Sequence, residues 1–202
     1  MNTNIIEPTT LQATENKKMK KELDPNEMKQ EAIHLPSITL NDRQICDLEL
    51  LLNGAFNPLK TFMGQKDYES VIKDMRLSTG DLWPIPIILD INEATKQDND
   101  LSIGSEIALR DHEGFLIATL TITEMWKADK EKEAELVYGT NDIHHPGVNY
   151  LYNHVGDYYV GGDLKLSELP KHYDYQLLRH TPSELKKQFK KMGWDKIVAF
   201  QT

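Results

Sequence analysis

The apolar pattern changes its period at Trp83, and that change limits the folds open to the chain. Upstream, Ile45, Leu48, Leu51 and Leu52 recur at helical spacing, as do Tyr68, Val71, Ile72 and Met75. Downstream, Pro84-Ile85-Pro86-Ile87-Ile88-Leu89-Asp90-Ile91 is an extended apolar run, and its two prolines place its start at a sheet edge. Ser105-Glu106-Ile107-Ala108-Leu109-Arg110 alternates, Asp111-His112-Glu113-Gly114 reads as a turn, and Phe115 to Met125 alternates again. In that last run Leu116, Ala118, Leu120 and Ile122 share one face and Ile117, Thr119, Thr121 and Thr123 the other, so the two runs form a hairpin. Short helices leading into strands of this kind point to a mostly β (α+β) unit built as a small barrel or sandwich.

The upstream helices carry their own boundaries. Asn41 followed by Gln44 has the form of a capping box, and Gly54 can close the helix in the left-handed region. Pro58 keeps Asn57 out of helix, so residues 55–59 form a loop. A second helix is expected over Asp67–Met75. Trp126–Glu135 is charged and mixed in sign, a loop or short helix. Residues 1–35 are polar and lysine-rich and read as a mobile extension with at most a short helix near Glu27–Ile33.

Beyond residue 170 the pattern changes again. Thr181-Pro182-Ser183-Glu184 opens a helix with Leu185, Phe189 and Met192 on one face, and Gly193 ends it. Lys196 to Phe200 is then a short continuous apolar run, as in a strand buried on both faces of a parallel sheet. Such a strand needs neighbours, so the sequence reads as cut at the start of a second, α/β domain. The divisions expected are 1–35, 36–170 and 171–202. The alternative is that the last run joins the upstream sheet as an edge strand.

Charge and composition narrow the function classes. Of the 202 residues, 23 are Lys or Arg and 32 are Asp or Glu, a net −9. Residues 36–162 carry 10 basic and 21 acidic groups, whereas 163–202 carry 8 basic and 5 acidic. So acidic a middle repels phosphate backbones and argues against general nucleic-acid binding. A single cysteine rules out an internal disulfide framework and a multi-cysteine zinc site. With no secretory signal and no bilayer-length apolar stretch, the expected location is cytoplasmic, away from membranes.

Individual candidates have ordinary expectations. His144, His145, His154 and Asp142 fit no established zinc spacing, and a loop turning at Pro146-Gly147 is expected there. Cys46 is expected to pack at the core or its boundary. Arg43, Arg76 and Arg110 should pair with nearby acids. Trp83, Trp126 and Trp194 should pack rather than stack on bases.

Taken together, several segments resemble the ATP sulfurylase (sulfate adenylyltransferase) family. They are residues 46–59 (CDLELLLNGAFNPL), Phe62-Met63-Gly64, Asp67-Tyr68-Glu69-Ser70-Val71, Met75-Arg76-Leu77, Leu82-Trp83-Pro84-Ile85-Pro86-Ile87, His145-Pro146-Gly147-Val148 and Val198-Ala199-Phe200-Gln201-Thr202. The Cys-Asp-Leu-Glu-Leu-Leu wording is most similar to the bacterial form fused to a C-terminal adenylylsulfate kinase. The resemblance implies a PUA-like β-barrel domain followed by the helix and first strand of a Rossmann-like nucleotidyltransferase domain. It implies transfer of the adenylyl group of MgATP to sulfate, with Mg2+ arriving with ATP and no protein-bound metal, in a complete enzyme that is a homo-oligomer. The family's first catalytic strand ends in Gln-Thr-Arg-Asn-Pro, followed by a His-x-x-His pair. Gln201 matches its sulfate-binding glutamine and Thr202 its catalytic-signature threonine. The Arg, Asn, Pro and both His are not among the 202 residues, so the chain alone is expected to be inactive. The competing expectations are a free-standing PUA-like module that binds RNA, and a structural domain that helps subunits associate.

Overall fold

The computed structural model describes residues 25–199. In chain order it forms α1 (Pro25–Glu31), β1 (Ser37–Thr39), α2 (Asp42–Leu52), α3 (Gln65–Asp74), β2 (Leu89–Ile91), α4 (Glu93–Asp98), β3 (Glu106–Arg110), β4 (Leu116–Lys127), α5 (Lys130–Glu133) and a π-helical turn (Ala134–Tyr138). There follow α6 (Pro146–Asn153), β5 (Tyr158–Leu166), a 3-10 turn (Gln176–Leu178) and α7 (Pro182–Lys191). One sheet organises them, with strand order β1-β3-β4-β5-β2. β1 runs parallel to β3, and the other pairs are antiparallel.

The hairpin forms where alternation places it, with Ile107 opposite Leu120 and Leu109 opposite Ala118. Between Leu109 and Arg110 the register shifts, so that Arg110 faces Leu116. This irregularity lets Ile117 and Ala118, neighbours in sequence, both enter the main core. That core collects Leu48 and Leu51 of α2, Tyr68, Val71 and Ile72 of α3, and Ile107, Leu109, Leu120 and Ile122 of the hairpin. Ala108 and Leu116 bury instead against Met28 and Ala32, so α1 and the turn after it cover a second patch of the hairpin. The chain before residue 36 therefore contributes packing. Two apolar positions four apart in a polar stretch give composition little to register.

Both caps of the first long helix are as the sequence requires. The Asn41 side chain accepts from the Gln44 N–H at 2.9 Å, and the Gln44 side chain accepts from the Asn41 N–H at 3.1 Å. Gly54 sits at φ +82°, in the left-handed region. The second helix runs Gln65–Asp74, and Met75 forms its left-handed cap at φ 52°. Met75 is consequently exposed, not part of the stripe. Only Leu89–Ile91 of the proline-punctuated run is strand, an edge strand paired to β5. Residues 84–88 are irregular, because each proline removes a ladder donor, yet Ile87 and Ile88 are still buried.

The segment after residue 170 departs in part. The helix is present, with a complete capping box: the Glu184 carboxylate accepts from the Thr181 N–H at 2.7 Å, and the Thr181 hydroxyl accepts from the Glu184 N–H at 3.4 Å. No residue of α7 is buried. Lys196–Ala199 forms no strand and pairs with none of the described residues, and Val198 is 96% exposed. These residues thus do not join the upstream sheet as an edge strand. No helix among the described residues is long and apolar enough to cross a membrane.

Candidate functional site

Gln201 and Thr202 lie outside the described residues. What the structure does place is the approach to them. Gly193, at φ +71°, turns the chain at the end of α7, and Trp194 folds back to stack on Phe189 with ring centroids 5.9 Å apart. The lysines 186, 187, 190 and 191 are all exposed along this helix, leaving the basic end of the chain open to anions.

Three of the arginines, Arg43, Arg76 and Arg110, are held in different ways. Arg43 donates to Asp47 at 2.8 Å and to Asp90, and to the Ile88 carbonyl at 3.3 Å. Burial opposes the charge on Arg43, but Asp90 and then Asp47 outweigh it and hold its pKa above the ordinary value. Burial pushes the Asp47 carboxyl up, and Arg43 offsets only part of that. Arg76 and Arg110 do not pair with acids among the described residues. Arg76 donates to the Gly80 carbonyl at 3.0 Å. Arg110 donates to Ser37 Oγ, the Gly114 carbonyl and the Ala32 carbonyl, all within 3.1 Å. In both cases backbone oxygens at a turn lie nearer than any carboxylate.

The histidine-rich segment is a helix start rather than a turn. His145 is the cap of α6; its Nδ1 accepts from the Gly147 N–H at 3.2 Å, and Pro146 takes the first helical position. His154 stacks on Tyr150 at the other end. The described residues contain no group of three His, Cys, Asp or Glu placed to hold a metal ion. Cys46 is exposed, contrary to expectation. The buried face of α2 runs through Gln44, Leu48 and Leu51, and Cys46, two residues beyond Gln44, points away from it. Trp83 packs edge-on to Phe56 at 5.4 Å, and Trp126 lies 5.7 Å from Tyr68 and 5.9 Å from Tyr159.

Two features were not anticipated from residue types. The first is Glu133, 5% exposed, whose Oε2 accepts from the Tyr68 hydroxyl at 2.9 Å and the Tyr159 hydroxyl at 2.6 Å. Its sequence setting, a charged run of mixed sign, gives no sign of burial. The second is a groove of about 510 Å3 between the β3–β4 turn and residues 168–173, floored by Ile45, Leu116 and Ile117. α2 ties down both of its walls: Asp42 shares a 2.9 Å hydrogen bond with His112, and Glu49 one of 2.8 Å with His172. The groove holds no assembly of nucleophile, base and anion donors.

Comparison with known proteins agrees with this arrangement. The family described as PUA-like domain matches residues 6–169. A sulfate adenylyltransferase of Neosartorya fischeri is 48% identical over 178 residues, which cover 88% of this chain and 31% of that protein. A sulfate adenylyltransferase of Schizosaccharomyces pombe is 46% identical over 178 residues, 87% of this chain and 36% of that one. The chain therefore spans about a third of the length of these curated relatives. Among solved structures, the hexameric APS kinase from Thiobacillus denitrificans superimposes with a TM-score of 0.64 at 31% identity, covering 84% of this chain and 29% of its own. A match that runs through the whole sheet, from before α1 to the end of β5, places the chain in the PUA-like domain family.

Proposed function

We propose that the chain is the N-terminal portion of a sulfate adenylyltransferase, contributing its PUA-like domain (36–170) and the opening helix and strand (171–202) of a Rossmann-like catalytic domain. The identity of 48% across 88% of the chain, to sulfate adenylyltransferases roughly three times as long, carries this reading. The complete enzyme would transfer the adenylyl group of ATP to sulfate, giving adenosine 5′-phosphosulfate and pyrophosphate. Sulfate is a poor nucleophile, so the work lies in aligning two anions that repel each other and in stabilising charge as pyrophosphate leaves. Gln201 would donate its side-chain amide to a sulfate oxygen, and Thr202 would help position the anions. Mg2+ enters as part of the MgATP substrate. Further parts of this reading are a homo-oligomeric enzyme, a cytoplasmic location and a fused adenylylsulfate kinase.

The 202 residues alone are expected to leave sulfate-dependent ATP–pyrophosphate exchange at background, because the arginine and histidines of the signature are not among them. Joined in frame after Thr202 to the remaining two-thirds of a fungal relative, the chain should support exchange, and Gln201→Ala in that fusion should raise the KM for sulfate by at least about tenfold. Exchange by the 202 residues alone, or a folded fusion with no activity, would overturn the proposal.

A further inference from the structure

Outside the groove and the basic helix, the least ordinary group is Glu133. It ends α5 and opens the π-helical turn, and it is buried between α3, which supplies Tyr68, and β5, which supplies Tyr159. Both phenols bond to the same carboxylate oxygen. No lysine, arginine or histidine lies within ion-pair distance of it among the described residues. The ring system around it is closed: Tyr68, Trp126 and Tyr159 stand 5.3 to 5.9 Å apart. The charged groups that reach it act at longer range, Arg43 favouring its ionised form and Asp90 opposing it. Asp129, at the cap of α5, adds a further negative charge on the Tyr68 side.

The elements that Glu133 anchors form a unit of their own. Ala134, Val148 and Leu151 make a small cluster separate from the main core, with Tyr138 and Tyr152 against it. Gly147 fits under the Tyr138 ring so closely that an added Cβ would come within 2.5 Å of it. Residues 130–153 are thus an arm, internally packed, and few groups bind it to the sheet. Val137 touches the main core, and Lys130 donates to the carbonyl of Val155, just beyond the arm.

We propose that Glu133 is a protonation-sensitive latch that docks this arm on the sheet. With the carboxyl protonated, Oε2 accepts both phenols and no net charge is buried. With it ionised, the same two bonds must hold a carboxylate that has no counter-ion in contact. Burial raises the Glu133 carboxyl above the ordinary value, and the bonds from Tyr159 and Tyr68 offset only part of that. The docked arm therefore binds a proton more tightly than the released one. Docking is at full strength below the ordinary carboxylate pKa, weakens as the pH rises through the window above it, and is level again once the docked group is ionised.

Amide hydrogen exchange of the full chain between pH 4 and pH 8, corrected for intrinsic rates, tests this directly. Protection over residues 130–153 should fall by more than about threefold across the range while β4 and β5 keep theirs. Glu133→Gln should abolish that fall, and Glu135→Gln, at an exposed neighbour, should leave it intact. A pH-independent arm in the unaltered chain, a fall shared equally by β4 and β5, or a fall that survives Glu133→Gln would each overturn the proposal. The first two outcomes are read on the unaltered chain, so they stand even if the glutamine variant fails to fold.

Discussion

Three groups converge on the Asp90 carboxylate. Its carboxylate takes the Arg43 guanidinium and the Gln44 amide from α2, and at 2.7 Å the backbone N–H of Gly156, which leads into β5. The Gln44 amide also donates to the Asp90 carbonyl at 2.9 Å, giving a short edge strand a side-chain partner. Asp90→Ala would leave the Gly156 N–H without its acceptor and take one acceptor each from the part-buried Arg43 guanidinium, which keeps Asp47 and the Ile88 carbonyl, and from the Gln44 amide, which keeps the main-chain carbonyl of residue 90. A buried donor left unsatisfied costs about 1–3 kcal/mol, and urea unfolding should show a loss of that order. Cys46→Ser, on the outer face of the same helix, should change stability by less than about 0.5 kcal/mol. Equal effects from the two substitutions would mean that the Asp90 cluster does not hold α2 to the sheet. The sequence indicates none of this clustering. Asp90 reads as the one polar residue of an apolar run, and Glu133 is lost among charged neighbours that stay in water. Burial of a single acid is decided by tertiary neighbours such as Tyr68 and Tyr159, which lie far from Glu133 in sequence.

Elements whose two ends carry local chemistry are legible in the sequence, and those shaped by distant backbone are not. α2 announces both of its boundaries through Asn41, Gln44 and Gly54, and α7 does so through Thr181, Glu184 and Gly193. β5 escapes notice because Gly161-Gly162 reads as a break. In the sheet that pair is a packing necessity. A Cβ on Gly162 would lie 2.2 Å from the Thr121 carbonyl oxygen, and one on Gly161 would lie 3.0 Å from the Gly64 Cα. Near the same point the register of β4 on β5 shifts between Ile122 and Glu124. Gly161 lets the strand cross closely beneath the start of α3, where the Glu124 carboxylate accepts from the Gln65 N–H at 2.7 Å, and Gly162 lets it approach the β4 backbone at Thr121. Gly162→Ala should therefore cost more than about 2 kcal/mol, well beyond the conformational gain that alanine ordinarily brings to an extended residue. The same change at Gly104, where an added Cβ meets nothing within 4 Å, would cost only the strain of its positive φ. A Gly162→Ala variant as stable as the unaltered chain in thermal melts would refute the close approach to Thr121.

The molecule divides into a packed sheet unit and a tail that rests on little. Among the described residues every buried side chain lies between Met28 and Ser167. Beyond Pro170 the ties are polar and at the rim of the groove, chiefly His172 to Glu49, while Tyr173, Leu177 and Leu178 face solvent. The helix Pro182–Lys191 is legible in the sequence through its cap and the return of helical periodicity. The fate of Lys196–Ala199 is not, because a continuous apolar run specifies burial without naming the surface that provides it. Cooperative stability should follow burial. A chain ending at Tyr173, which keeps the His172–Glu49 bond, should unfold in urea with the unfolding free energy of the full chain to within about 0.5 kcal/mol, since surface contacts of this kind contribute little. Its slope against denaturant should be nearly unchanged as well, because α7 buries no residue and adds little area to the transition. If removing residues 174–202 instead lowered stability by more than about 2 kcal/mol, α7 would have to pack on the sheet unit in solution. The exposed lysine face of α7 would then be the surface that remains once its apolar side, Leu185, Phe189 and Met192, had found that contact.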